Sequence, residues 1–312
     1  MDNLTSPVTP SERYLAKLCR HSFLSMWSYP NIYRDQKISA TSIDGKEICD
    51  LLIVFGDHII IFSDKYCEFP DTGNLQVDWN RWYKKAILKS ARQIWGAERW
   101  IKGNPDRIFV DRKCEQKLPL ELPKPDQMKI HRVAVAHGAL NRCKQYFNSN
   151  SGLLINTTIQ GENHVGNPQN IFNVGWVDRN YGFVHVLDDS SLDIVLQTLD
   201  TITDFIWYLE KKEKLVEKAA VFAASEEDLL GRYLHNTNKN GEHDFLPKED
   251  EEIDYIGIEE GIWHDFLISP QRHAMIQANE ISYYWDHLIE NFSYHMMNNT
   301  QHFTTHPNDI SG

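Results

Sequence analysis

The chain has 312 residues, 41% of them hydrophobic and 24% charged, with nine Trp and a formal net charge of −12. That is enough to bury a sizeable core, as one large domain or two modest ones. No apolar run approaches the roughly 20 residues that span a bilayer. The opening MDNLTSPVTPSERY has neither the basic nor the apolar segment of a signal peptide. Five widely spaced cysteines (Cys19, Cys49, Cys67, Cys114 and Cys143) form no CxxC pair, so neither a zinc ribbon nor a redox motif is indicated. A cytoplasmic protein with reduced thiols is expected.

The predicted elements alternate between helix and strand. Residues 11–28 read as an amphipathic helix with Ser11 as N-cap and Tyr14, Leu15, Leu18 and Phe23 on its apolar face. Pro30 breaks that pattern. Residues 38–43 read as a short strand running into a turn at Asp44-Gly45. Residues 51–55 and 58–62 are apolar on consecutive positions, as in strands covered on both faces, and Gly56-Asp57 joins them in a tight hairpin. A long helix is expected over 78–102, then strands at 107–110 and 130–136, with a Pro-rich connector at 118–125. Further strands are expected at 153–159, 172–177 and 182–187, either extending the first sheet or forming a small one. Residues 191–215 give the clearest helix, with Leu192, Val195, Leu199, Ile202, Phe205, Ile206 and Leu209 at helical spacing. Beyond about residue 236 lies an acidic connector, and residues 281–297 are aromatic enough to pack back as a helix. The predicted class is α/β (mixed α+β), a central mixed sheet flanked by helices with an α-rich C-terminal portion. The division expected is residues 1–138 as a core and 139–312 as an accessory region.

Chemistry concentrates at the hairpin's open end. A two-residue turn at 56–57 pairs residue 55 with 58 and so places Asp50 opposite Ser63. Side chains alternate along a strand, which puts Asp50, Ser63 and Lys65 on one face and Asp64 on the other unless a bulge rotates it. A helix, a strand, a hairpin carrying an acid and then x-x-Lys, and a second helix resemble the PD-(D/E)XK nuclease superfamily over roughly residues 10–138. The family's first acid falls on Asp50 and its lysine on Lys65. Its second acid falls on Ser63, a departure from the pattern. The resemblance implies a restriction-endonuclease-like core that cleaves DNA, or RNA, in restriction or antiphage defence. It implies Mg²⁺ or Mn²⁺ held by Asp50 with Asp64, Glu47 or Glu12 standing in for the missing acid. Catalysis would fall to Asp50, Lys65 and Asp64, with the lysine orienting or activating the attacking water.

Charge supplies an independent pointer to nucleic acid. Residues 1–150 carry 23 Lys and Arg against 17 Asp and Glu, whereas the remainder carries 9 against 27. On the 78–102 helix, Arg81, Lys85, Lys89 and Arg92 fall within about 80° of one another at 100° per residue, opposite Tyr83, Ile87, Ser90, Ile94, Ala97 and Ile101. Such an outward basic stripe suits a phosphate backbone; with the resemblance to restriction endonucleases, DNA is expected more than RNA. Gln93 lies beside the stripe, and the resemblance adds that a glutamine on this helix lines the active site in some relatives. His295, His302 and His306 sit in a polar tail without Cys or acid support, so no metal site is expected there. The alternative function is a nuclease-like module that binds nucleic acid or protein without cutting. The acidic second half could meet a protein partner, and no membrane partner is expected.

Overall fold

The computed structural model describes residues 7, 9–24, 26–36, 45–246 and 253–297. The strand expected at 38–43, and His302 and His306, lie outside these residues. The first helix, α1 (Pro10–Phe23), is capped by Thr9 rather than Ser11. The Thr9 hydroxyl accepts from the Glu12 N–H, and a Glu12 carboxylate oxygen accepts in return from the Thr9 N–H at 3.0 Å. Strand β1 (Ser28–Arg34) follows directly, through the proline expected to end the order there. Pro30 is tolerated because β1 is the edge strand of its sheet and needs no second ladder.

Strands β2 (Lys46–Phe55) and β3 (His58–Tyr66) form the expected hairpin, with Phe55 opposite His58 and Leu51 opposite Phe62, and Gly56 at φ +60° in the turn. Their consecutive apolar residues are buried because the sheet is covered twice. On one face Leu51, Ile53, Ile60 and Phe62 meet α1. On the other, Leu52, Val54, Ile59 and Ile61 meet a long helix made of α2 (Leu75–Tyr83) and α3 (Lys89–Gly103), joined by a single π-helical turn at Lys84–Leu88. Residues 107–110 do not form a strand. Phe109 makes isolated bridges to Tyr33 and Lys117, and Arg107 is pinned by Asp35 at 2.6 Å.

Strand β4 (Lys129–His137) lies parallel to β3, and a short α4 (Leu140–Phe147) follows it. Both fates left open for the next strands are realised. β5 (Leu154–Gln160) and β6 (Asn173–Trp176) start a second sheet, whereas β7 (His185–Leu187) joins the first, giving the order β1-β2-β3-β4-β7. The single helix expected over 191–215 is two, α5 (Ser191–Thr198) and α6 (Ile202–Lys218), because Thr201 caps a new start by accepting from the Asp204 N–H. The apolar stripe spans both, which hid the break. β8 (Ala220–Ala223) and β9 (Tyr255–Ile258) complete the second sheet in the order β6-β5-β8-β9, with α7 (Glu226–His235) between them. A short α8 (Ile262–Leu267) precedes the long α9 (Pro270–Met297). On α9, Tyr284, Trp285, Leu288, Ile289 and Phe292 are exposed rather than packed back as expected.

The result is mixed α/β, two mixed sheets flanked by helices. The division expected after residue 138 does not separate two cores. β7 completes the first sheet, and Phe205 of α6 stacks on Phe23 of α1 at 5.2 Å and on Phe62 of β3 at 6.2 Å. Among the described residues no helix is long and apolar enough to cross a membrane.

Candidate functional site

The backbone ladder between β2 and β3 stops at Leu51 and Phe62, and the Asp50 side chain takes over the next donor. One carboxylate oxygen accepts from the Asp64 N–H at 2.5 Å, and the other accepts from Gln93 Nε2 of α3 at 3.2 Å. Ser63, fully buried, donates its hydroxyl to Gln93 Oε1 at 3.3 Å. Gln93 thus ties together the two hairpin positions that alternation places on one face. Lys65 lies on that face as well. These side chains line a cleft of about 820 Å³ between the hairpin end, α1 and α3, with Glu12 and Glu47 on its walls and Lys46, Lys89, Arg92 and Arg99 around it.

The acids in this cleft are held against their preference. Burial drives the Asp50 carboxyl up to about 6, and the neighbouring charges of Glu12 and Asp64 add to the rise, while the Asp64 N–H and the Lys65 ammonium oppose it. Glu47 rises to about 7, first through burial and then through Asp50 and Glu12, with Lys65 and Arg112 opposing. Carboxylates that repel one another in a partly dehydrated cleft are what an oxygen-loving cation would relieve.

The Asp64 carboxylate is not brought to this cleft. β3 and β4 pair without a register shift from His58 to Tyr66, so no bulge turns Asp64 round. Its side chain is sealed on the opposite face, where it forms a 2.9 Å ion pair with His137 Nε2. What Asp64 contributes to the cleft is its backbone N–H. His137 in turn contacts Asp189 through Nδ1 at 2.8 Å, and the Gly138 N–H donates to the same carboxylate at 2.9 Å. Burial alone would hold His137 neutral, yet Asp189 and Asp64 raise it to about 9.

Among the described residues no three His, Cys, Asp or Glu side chains converge as a ready-made metal cage. Mg²⁺ does not demand one. It keeps several waters and is held by one or two carboxylates together with substrate phosphates. Asp50 and Glu47, with Glu12 opposite, fit that looser requirement through their hard oxygens and their mutual repulsion. Glu12 spends one oxygen on the cap of α1.

The basic stripe is exposed as expected, but its four members do not share one cleft. The π-helical turn at Lys84–Leu88 is wider than an α turn and changes the phase of the helix midway. Lys89 and Arg92 line the Asp50 cleft, whereas Arg81 and Lys85 do not. Arg99, one heptad beyond Arg92, takes a place that sequence reasoning overlooked, although that spacing was there to find it. Comparison with protein-family models, with curated proteins and with solved structures finds no match for this chain.

Proposed function

We propose that this chain binds nucleic acid, DNA in preference to RNA, over the α3 side of its first sheet and hydrolyses phosphodiester bonds at the open end of the β2–β3 hairpin. It would be a PD-(D/E)XK-like nuclease of a restriction or antiphage kind. The observation that carries this reading is the placement of Asp50. It is a buried carboxylate, raised to about 6, with Glu47 and Glu12 beside it and Lys65 on the same face. The succession α1, β1, β2–β3 and α2–α3 supports the resemblance, with β1 rather than the strand expected at 38–43 preceding the hairpin.

In this reading Asp50 and Glu47, assisted by Glu12, hold Mg²⁺ or Mn²⁺. The bound ion would stabilise charge on the scissile phosphate and acidify water. Gln93 and the Asp64 N–H fix the orientation of the Asp50 carboxylate. Glu47, raised to about 7 by burial and by Asp50 and Glu12, is the acid a bound cation would relieve most, and the attacking water would lose its proton under the ion's influence. Lys65 donates to that water or to a phosphate oxygen. Lys89, Arg92 and Arg99 bind flanking phosphates, giving an affinity that falls with salt. The acidic second half is left to meet a protein partner.

A second reading, a binding module without cleavage, is favoured by one observation. Both Asp50 oxygens already accept hydrogen bonds, and the Ser63 hydroxyl is spent on Gln93. Incubation of plasmid and oligonucleotide substrates with Mg²⁺ or Mn²⁺ decides between them. Cleavage that drops about 100-fold in Asp50→Ala and in Lys65→Ala supports the nuclease. Cleavage indifferent to both substitutions sinks it, and salt-sensitive binding without cleavage selects the second reading.

A further inference from the structure

Beside the Asp50 cleft lies a second one, of about 940 Å³, that the proposed cleavage chemistry leaves unused. It runs between the α2–α3 helix and the loops that follow β5 and β6. Arg92 and Arg99 line both clefts, which therefore adjoin across one helix face. The three cations of the second cleft, Lys84, Arg92 and Arg99, come from the helix, while its acids, Glu162 and Asp178, come from the loops. An anionic chain is thus drawn to the helix side.

The opposite character appears at its aromatic wall. Trp95 of α3 stacks on Tyr181 with ring centroids 4.7 Å apart and 26° between planes. Trp95 is buried and Tyr181 is 47% exposed, so a stack begun in the core ends in an open aromatic face.

We infer that this second cleft seats an unpaired nucleotide of the strand whose backbone crosses the Asp50 cleft. Its base stacks on the open face of Tyr181, which Trp95 backs from the core, and Arg92, Arg99 and Lys84 take the adjoining phosphates. A base inside a duplex has both faces covered by its neighbours, so a stacking platform serves only a single strand, a flap or a frayed end. The substrate class is therefore nucleic acid with a single-stranded segment. This rests on the reading that nucleic acid is the ligand, and adds which form of it is taken.

The test uses the full chain in EDTA, so that binding is read without cleavage, with fluorescein-labelled single-stranded DNA of about 15 nucleotides and its blunt duplex. Fluorescence anisotropy is expected to show the single strand bound about tenfold more tightly than the duplex. Tyr181→Ala, a surface substitution, should lose about tenfold of single-strand affinity, and Tyr181→Phe should restore it. Equal affinity for the two forms, or single-strand binding untouched by Tyr181→Ala, overturns the inference and leaves nucleic-acid binding standing. Absence of binding to either form overturns both together.

Discussion

Asp50 and Asp64 stand at the same end of one hairpin, linked by a hydrogen bond from the backbone of one to the side chain of the other, yet their carboxylates live in opposite conditions. Asp64 faces the buried side of the sheet and is matched by His137, which Asp189 and Gly138 hold from behind. Asp50 faces the α3 cleft, where nearby carboxylates add to a rise that burial begins. Asp64 is paired with a cation in direct contact, whereas at Asp50 the Lys65 ammonium and two hydrogen bonds only partly offset burial and the neighbouring acids. A chain keeps a raised acid in a cleft at a cost in stability, which is why such groups point to function rather than to packing.

That contrast can be broken most severely at His137. His137→Ala leaves Asp64 and Asp189 together without their cation, and losing one partner of a buried pair costs about 3–5 kcal/mol. Urea unfolding should show a loss of that size, against a change within about 1 kcal/mol for Asp50→Asn, which gives up one hydrogen bond but sheds a disfavoured charge. Equal losses would erase the distinction between the two acids.

The same pair sets the next largest effect. His137 titrates near 9 in the folded chain and near 6.5 when unfolded, so its contribution is complete below about pH 6.5 and is lost as pH rises through 9. The difference amounts to about 3 kcal/mol. Stability measured from pH 6 to pH 10 should fall accordingly, and the fall should flatten in His137→Gln. Constant stability across that range would mean that His137 carries no charge.

What the sequence disclosed follows the range of the interactions concerned. The β2–β3 hairpin was legible because consecutive apolar residues around Gly56-Asp57 demand a doubly covered pair with fixed register. The same alternation placed Asp50, Ser63 and Lys65 on one face and Asp64 on the other, as in the folded sheet. β1 was hidden because Pro30 is a breaker anywhere except at an edge, and edges are decided by tertiary order. β8 and β9 are four residues each, too short to show a period. The grouping of Asp64, His137 and Asp189 had no local signal, since three separate segments meet only in the folded sheet. The basic stripe was half legible: its exposure follows from the apolar residues opposite, but the π turn that redistributes its members has no pattern in KKAIL. Arg99 continues the stripe one heptad beyond Arg92, whereas the aromatic wall at Tyr181 has no local signal, because it forms only where the loop after β6 meets α3.

Two smaller effects sharpen the comparison from the Asp50 side. If Asp50 and Glu47 must both be ionised to work, cleavage at sub-saturating Mg²⁺ should rise with pH up to about 7, by about tenfold per unit between 6 and 7 and about a hundredfold per unit below 6. A rising limb near 4, the ordinary carboxylate range, would show that the two acids feel neither burial nor each other. The smallest effect separates charge from shape at Glu47. Its carboxyl is protonated in both folded and unfolded chains at pH 4. Above about 4.5 the unfolded chain ionises first, and the penalty on the folded state grows until about 7. Glu47→Gln removes that penalty while keeping the side chain's size. With solvent screening allowed for, the thermal midpoint in EDTA should rise by about 1–2 °C at pH 8 and stay unchanged at pH 4. A lower midpoint at pH 8 would mean that the Glu47 charge supports the fold, and the cleft would then join Asp64 on the satisfied side of the comparison.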